Sequence, residues 1–174
     1  MPHHLEFEQW VPFLVARVFG FFSNPENLPR IMPTATGTRL ILLNRMPPPE
    51  APPGVSSDKA AGVGSIIVTS FRVFPFLPLR ARWIARITEF EWHRYFADVQ
   101  DSGPFKSWRH RHEFSAETRD GVSGTLLRDV IEYEAGFGFL GAIVNQLFVR
   151  RQMQGTFAQR QHRLPGLISD KPAR

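Results

Sequence analysis

The chain has 174 residues, of which 43% are hydrophobic and 13% aromatic, so it can form one domain with a sizeable packed core and is not a disordered protein. It has no cysteine, which excludes disulfide bonds and thiolate metal sites. The net charge of +5 comes mainly from 18 scattered arginines with no run longer than Arg150-Arg151, and this dispersed pattern predicts no nucleic-acid partner.

The N-terminal region predicts one strand followed by two helices. Apolar and polar residues alternate over residues 5–11, which is typical of a half-buried strand. Residues 13–22 then place apolar side chains at the i, i+3, i+4 and i+7 positions of a helix. Asn24 is a favourable N-cap and Pro25 suits the first position of a second helix, which is short because Pro33 follows.

The middle of the chain predicts six strands that can form a meander. They cover residues 36–44, 63–73, 79–90, 92–100, 105–115 and 125–135. Residues 46–62 are rich in proline and small polar residues, and we expect them to form a mobile loop at the surface. Asp120-Gly121 marks the turn between the last two strands.

A long helix is predicted over residues 137–163, with residues 165–174 as a flexible tail. Its front half is apolar over a wide arc, which indicates that a large surface encloses it, whereas its back half is expected to reach solvent. The apolar stripes contain Leu140, Ile143, Val144, Leu147 and Ala158, and beside them Phe139, Met153, Phe157 and Leu164. The sum is one α+β domain with a curved seven-stranded antiparallel sheet around this helix.

At this point the sequence resembles the helix-grip fold of the START-like, polyketide cyclase and birch-pollen-allergen superfamily, called SRPBCC, and within it a bacterial subgroup of ligand-binding proteins. The likeness covers about residues 5–164 and rests on the following stretches: FEQWVP at 7–12, VFGFFSNPENLPRI at 18–31, GPFKSWRHRHEF at 103–114, then residues 125–129, Tyr133 and FGFLG at 137–141.

The resemblance implies a deep apolar cavity between the sheet and the terminal helix. Members bind lipids, sterols, polyketides or hormones there, and some catalyse cyclisation or dehydration. Three functions follow as alternatives: binding of a small hydrophobic or amphipathic ligand, a cyclase- or dehydratase-type enzyme with a pocket histidine, and a protein-interaction module whose own side chains fill the cavity. No cofactor is implied.

The strand at 105–115 contains the candidate site residues. Its period of two places Trp108, His110, His112 and Phe114 on one face and the charged residues Arg109, Arg111 and Glu113 on the other. We therefore expect both histidines to face the cavity as polar groups in an apolar pocket, or to be core histidines satisfied by neighbours. The predicted ligand-binding set is Trp108, His110, His112, Phe114, Tyr133, Leu140, Val144 and Leu147.

Asp129 is the candidate partner of these histidines. If the turn centres near Asp120, His110 lies roughly opposite Asp129, and a carboxylate beside an imidazole would raise the imidazole pKa and fix its tautomer. The alternative is an ordinary cross-strand pair. Candidate catalytic residues are thus His110, His112 and Asp129. No metal is predicted, because no third ligand stands at a recognisable spacing to the two histidines.

Other polar residues are secondary candidates. Arg150 and Arg151 could hold an anionic head at the cavity mouth, although solvated helix arginines are commoner. The pattern does not show which face of the strand with Asp98 and Gln100 points to the cavity. The same holds for the strand with Arg82 and Arg86. The N-terminus lacks the pattern of a signal peptide, and no apolar run is long enough for stable membrane insertion, so a cytoplasmic protein is expected.

Overall fold

The predicted seven-stranded antiparallel sheet is confirmed. The computed structural model describes residues 2–72, 79–135 and 149–169. The strands are β1 (His3–Val11), β2 (Arg39–Asn44), β3 (Ile66–Arg72), β4 (Arg80–Glu91), β5 (Tyr95–Ser102), β6 (Ser107–Arg119) and β7 (Val122–Glu134). They form one sheet in the order β1-β7-β6-β5-β4-β3-β2, with every neighbouring pair antiparallel.

Two short helices follow β1, as predicted. They are α1 (Val15–Ser23) and α2 (Leu28–Ile31), separated by a 3₁₀ turn at Pro25–Asn27. The Oδ1 atom of Asn24 accepts a hydrogen bond of 3.1 Å from the backbone N–H of Glu26, so the predicted cap is confirmed, although it begins a 3₁₀ turn. The strand expected from residue 36 begins later, because a second 3₁₀ turn occupies Thr34–Thr36.

The terminal helix α3 (Arg150–Ser169) continues beyond its predicted end. Pro165 lies inside it, where its missing N–H would leave the carbonyl of Gln161 without a partner. The side chain of Gln9 donates to that carbonyl at 2.7 Å and thereby replaces the lost bond. Residues 165–169 are therefore helical, with Ile168 buried, and the prediction of a flexible tail is wrong for them. Residues 137–148 and 170–174 lie outside the described residues.

One face of α3 packs on the sheet and the short helices. Phe157 and Leu164 are buried on this face, as the second predicted stripe requires, whereas Ala158 is exposed and its predicted place on the apolar face is wrong. Arg160 is also buried, so the polar half of the helix does not simply reach solvent. Its position, three residues after Phe157, puts it on the inner face regardless of its charge.

The segment 46–62 contains no helix or strand in the structure, as its prolines predicted. Its end is not at the surface, because Ala60 and Ala61 are buried. The backbone N–H of Ala61 donates to the carbonyl of Ser23 at 2.9 Å, and that of Gly62 donates to the carbonyl of Met46 at 3.0 Å. These bonds tie the end of the loop to the core, so the surface prediction is wrong there, and mobility of the remainder stays a prediction.

The core lies between the concave sheet face and the helices, in two clusters. The first is centred on Phe19 of α1 and the second on Trp108 and Tyr133. Burying one such aromatic side chain contributes roughly 1.5–3 kcal/mol, so these clusters supply much of the stabilisation. None of the helices in the described parts of the chain combines the length and apolarity needed to cross a membrane.

Candidate functional site

A cavity of about 510 Å³ lies between the sheet and α3. Strands β3 to β6, the region around α2 and the first turns of α3 form its wall. Most of the wall is apolar and aromatic, including Phe22, Ile67, Phe71, Trp83, Ile87, Phe96, Phe105, Trp108, Met153 and Phe157. Four ionisable side chains interrupt this wall, namely Asp98, His110, His112 and Arg160.

Strand β6 turns both histidines into this space, as its sequence period predicted. Trp108, His110, His112 and Phe114 are each at most 8% exposed, whereas the residues between them are partly exposed. Arg109 and Arg111 both form ion pairs with Glu89 on the opposite sheet face, at 2.6 and 2.8 Å. The ion pairs on the outer sheet face and the buried rings on the inner face together fix which way the strand faces.

Asp129 lies opposite His112, not opposite His110 as expected. The hairpin turn contains Asp120 and Gly121, both with positive φ, so the centre of symmetry falls between them and Ile131 is the residue paired with His110. The diagonal distance is nevertheless short enough for contact. The Nε2 atom of His110 lies 2.9 Å from Oδ1 of Asp129, so the predicted histidine–aspartate contact is present.

The same carboxylate oxygen also contacts His112, whose Nδ1 atom is 2.6 Å away, off the line of a regular hydrogen bond. Burial alone would raise the pKa of Asp129, but the charge of His112 and the contacts with both rings lower it well below its usual range. Burial and the neighbouring His112 lower the pKa of His110. Asp129 is therefore an anion that orients two imidazoles from behind the cavity wall.

Asp98 completes the polar group, and its inward direction could not be predicted from the sequence. It pairs with His110 across β5 and β6 and lines the cavity. Burial raises the pKa of its carboxyl group, although the charges of His110 and Arg160 oppose the shift. The neighbours Phe96 and Ala97 are both buried, which is why the alternation along β5 does not reveal its inner face.

Arg160 is the second site residue that sequence analysis missed. Its side chain is 7% exposed, and its guanidinium carbon lies 4.5 Å from the centroid of the Phe157 ring. Burial lowers the pKa of Arg160, whereas the charges of Asp129 and Asp98 raise it. An arginine keeps its proton in proteins, so one fixed positive charge lies beside the histidines. The sequence did contain one signal for its burial, because Arg160 lies at helical spacing from the apolar residues Met153 and Phe157.

The match to a protein-family model shows which family the chain belongs to. The family described as "Polyketide cyclase / dehydrase and lipid transport" matches residues 11–160. The chain belongs to this family. The predicted likeness to the START-like and polyketide cyclase superfamily is thereby confirmed, and with it a ligand-binding pocket in general.

Solved structures of other proteins have the same fold. The crystal structure of TTHA0849 from Thermus thermophilus is 16% identical, with a TM-score of 0.64 over 95% of this chain and 97% of that one. Norcoclaurine synthase from Thalictrum flavum is 15% identical, with a TM-score of 0.64 over 98% of this chain and 88% of that one. Ara h 8.0201 is 15% identical, with a TM-score of 0.55 over 97% and 98%. The search of the curated proteins found no match.

In this member of the family, the predicted ligand-binding residues separate into three groups. Trp108, His110 and His112 line the cavity. Phe114 and Tyr133 are buried behind its wall, where Phe114 packs 5.1 Å from the ring centroid of Phe19 and Tyr133 packs 5.4 Å from that of Phe105. The remaining three, Leu140, Val144 and Leu147, lie outside the described residues.

The arginines considered as secondary candidates lie away from the cavity. Arg82, Arg86, Arg150 and Arg151 are all exposed. Arg86 pairs with Asp101 at 2.9 Å on the outer face of the sheet. The cavity therefore has one positive residue among those described, and it is Arg160.

The polar side chains in the cavity wall carry atoms that can form hydrogen bonds with a ligand or bind a metal ion. Ligand atoms of Asp98, His110 and His112 lie within 4.8 Å of one another, one from each residue. Two imidazoles and a carboxylate can form hydrogen bonds with a polar group of a ligand, or they can bind one cation together. The surrounding rings exclude water, which strengthens either interaction.

Proposed function

We propose that this protein binds a small hydrophobic or amphipathic ligand, lipid- or polyketide-like, in the cavity between the sheet and α3. The supporting observation is the cavity itself, whose volume of about 510 Å³ is enclosed mainly by apolar and aromatic side chains. Binding pockets for small molecules typically have volumes of about 300–1,000 Å³. The family description, which includes polyketides and lipid transport, agrees with this class of ligand.

The polar side chains favour an amphipathic ligand over a plain hydrocarbon. Asp98, His110, His112 and Arg160 all belong to the lining of the same cavity. Any polar atom of these groups that faces the cavity without a partner costs free energy, which a ligand hydroxyl, carbonyl or acidic group would recover. The apolar part of the ligand would then lie against rings such as Trp83 and Trp108.

A second candidate function is an enzyme of the cyclase or dehydratase type. The observation that favours it is the buried contact of 2.9 Å between His110 and Asp129, because a carboxylate on Nε2 leaves Nδ1 of the ring available to a substrate. A protein of the same fold, norcoclaurine synthase, has been solved in complex with dopamine and hydroxybenzaldehyde. The third hypothesis, an interaction module with a core filled by its own side chains, disagrees with a cavity of 510 Å³.

A neutral fluorescent probe tests ligand binding. Titration of the protein with 1-aminoanthracene should give saturable fluorescence, and Thr156→Trp, which adds an indole to the cavity wall, should weaken the affinity by about tenfold or more, corresponding to about 1.4 kcal/mol. Ala158→Trp is the matched control, because Ala158 is exposed on the same helix. Equal affinities for wild type and Thr156→Trp would contradict the proposal.

The same preparation can identify the ligand and test the enzyme hypothesis. Native mass spectrometry of protein purified from its host should show a co-purified small molecule of low polarity, and Thr156→Trp should have lost it. If the bound molecule is converted on incubation, either by loss of water to a lighter product or by ring closure to an isomer of equal mass that chromatography separates, the enzyme is favoured. An unchanged bound molecule favours a carrier.

A further inference from the structure

We propose that Asp98, His110 and His112 form a binding site for a divalent first-row transition-metal ion in the wall of the cavity. The residues come from two neighbouring strands: the histidines from β6, and Asp98 from the position of β5 that pairs with His110. Each supplies one ligand atom, and these atoms lie within 4.8 Å of one another. The sequence spacing did not reveal a third ligand, but the pairing of β5 with β6 brings Asp98 next to the two histidines.

The backbone places the two imidazoles for joint coordination. Residues i and i+2 of a strand point to the same side, and the ring centroids of His110 and His112 are 4.0 Å apart. Metal–nitrogen and metal–oxygen bonds of about 2.0–2.2 Å hold neighbouring ligand atoms about 3 Å apart, so rotation of the side chains has to draw the set together by about 1–2 Å. Asp98 is only half-buried and borders open cavity volume, which leaves room for this rotation.

Asp129 supports the site from behind. Its Oδ1 atom faces Nε2 of His110 at 2.9 Å and Nδ1 of His112 at 2.6 Å. His110 already directs Nε2 at this carboxylate, and His112 needs a rotation to bring the N–H of Nδ1 into line with it. With both N–H groups so directed, Nδ1 of His110 and Nε2 of His112 keep their lone pairs for an ion. Histidine ligands are commonly held by a carboxylate on their second nitrogen, and this contact fixes the tautomer and increases the basicity of the ligand.

The charges also favour a cation. Two carboxylates, Asp98 and Asp129, lie near one guanidinium, Arg160, so the carboxylates outnumber the fixed positive charge of the group. The carboxyl group of Asp98 accepts no hydrogen bond from the described part of the chain, and a cation at the cavity wall would give it a partner.

The chemistry of the ligand set indicates the class of ion. Two imidazoles with one carboxylate suit zinc or iron(II), whereas calcium and magnesium prefer sites made of oxygen atoms. Three protein ligands leave at least one coordination position open. Because the three residues line the cavity, an oxygen atom of a bound ligand could occupy that position. The proposal does not depend on which organic ligand the cavity holds.

Zinc alone is the probe for the test. The full chain, stripped of metals with a chelator, is titrated with Zn²⁺ in competition with a chromophoric chelator, and one tight site per chain is expected. Asp129→Asn should weaken the affinity by about 10–100-fold, as loss of an orienting carboxylate does elsewhere, and Asp98→Ala, which removes a ligand, should weaken it more. Cobalt(II) should give a visible ligand-field absorption with wild type that Asp98→Ala lacks.

Controls separate this site from surface histidines and from misfolding. The double variant His3→Ala, His4→Ala and the variant His162→Ala, which remove histidines outside the cavity, should bind Zn²⁺ as wild type does. Zn²⁺ should raise the Tm of wild type and leave that of Asp98→Ala unchanged, while the two metal-free proteins melt cooperatively. Matching near-ultraviolet circular dichroism of the two metal-free proteins shows that the aromatic packing around the cavity is intact.

Two titration results would overturn the proposal. One is equal affinity for Zn²⁺ in wild type and Asp98→Ala, and the other is loss of binding only in the variant without His3 and His4. NMR shifts of the imidazole nitrogens give a readout that a purely structural role would not move. On addition of Zn²⁺ we expect shifts at Nδ1 of His110 and Nε2 of His112, and no change at these atoms would equally contradict it.

Discussion

The two ends of the space between sheet and helices contain similar aromatic residues, yet one is filled and the other is open. At the filled end, α1 inserts Phe19, whose ring centroid lies 5.9 Å from that of Phe96 and 5.1 Å from that of Phe114. At the open end, Trp83 and Trp108 pack edge to face at 5.0 Å and border the cavity. Aromatic content alone therefore does not close a core. A helix must also deliver a side chain into the space.

The largest effect is expected at the filled end. Phe19→Ala removes a fully buried ring with five aromatic neighbours among the described residues, and it should lower the free energy of unfolding by about 3–5 kcal/mol. Urea denaturation measures this. Phe105→Ala, at the half-buried wall of the cavity, is the matched truncation and should lose less than half as much. Equal losses would contradict the contrast between the two ends.

The second effect concerns the polar part of the cavity wall. In the structure, His110→Phe with His112→Phe leaves the carboxylate of Asp129 buried without its donors, and we expect a loss of about 3 kcal/mol at neutral pH. Chemical denaturation is again the measurement. Adding Asp129→Leu should restore most of the stability, and a double variant as stable as wild type would show that Asp129 does not depend on the rings.

The third effect tests close packing at the filled end. A Cβ atom on Gly124 would lie 2.5 Å from the carbonyl oxygen of Val11 and 2.5 Å from a ring carbon of Trp10. Because one of these atoms belongs to the backbone of a paired strand, Gly124→Ala should cost about 2 kcal/mol. Gly155→Ala is the control, since open space surrounds that position on α3 and alanine favours helix. A thermal scan should show opposite shifts in Tm, and a neutral Gly124→Ala would show that β1 is loosely packed.

The smallest effect is expected at the open end. Met153 is half-buried on α3 beside the cavity, so Met153→Ala enlarges an existing space and should cost only about 1 kcal/mol, below the range for fully buried methionines. Binding of a bulkier neutral probe, such as Nile red, should become tighter relative to 1-aminoanthracene. A stability loss as large as that of Phe19→Ala would indicate that the open end is packed as tightly as the filled one.

Local patterns predicted the fold because each was supported by a physical constraint within a few residues. The Asp120-Gly121 turn has the positive φ angles that its residues allow, and it sets the register of β6 and β7. The alternation along β6 placed His110 and His112 inside, because the charged residues between them require solvent or ion pairs. Asn24 caps its turn through a bond to a residue two positions away.

The remaining features depend on contacts between distant parts of the chain. Asp98 could not be placed because both faces of β5 carry buried residues. The helix passes Pro165 because Gln9, 152 residues from the carbonyl it contacts, supplies the missing donor. Arg160 is buried because Asp98, Asp129 and the Phe157 ring surround it, and its charge alone predicted the opposite. No local pattern contains this information.

The strand order has a consequence for the kinetics of folding. Strands β2 to β7 each pair with a neighbour in sequence, so even the ladder across the segment 46–62 closes a far shorter loop than the pairing of β1 with β7, where Val11 meets Thr125. Such a distant pairing is slow to form because much of the chain must be ordered first. We expect β1 and α1, which precede the other elements along the chain, to dock last. Phe19 would then enter the core in the same late step that encloses the cavity. Until that step, the apolar inner face of the sheet would be accessible to chaperones.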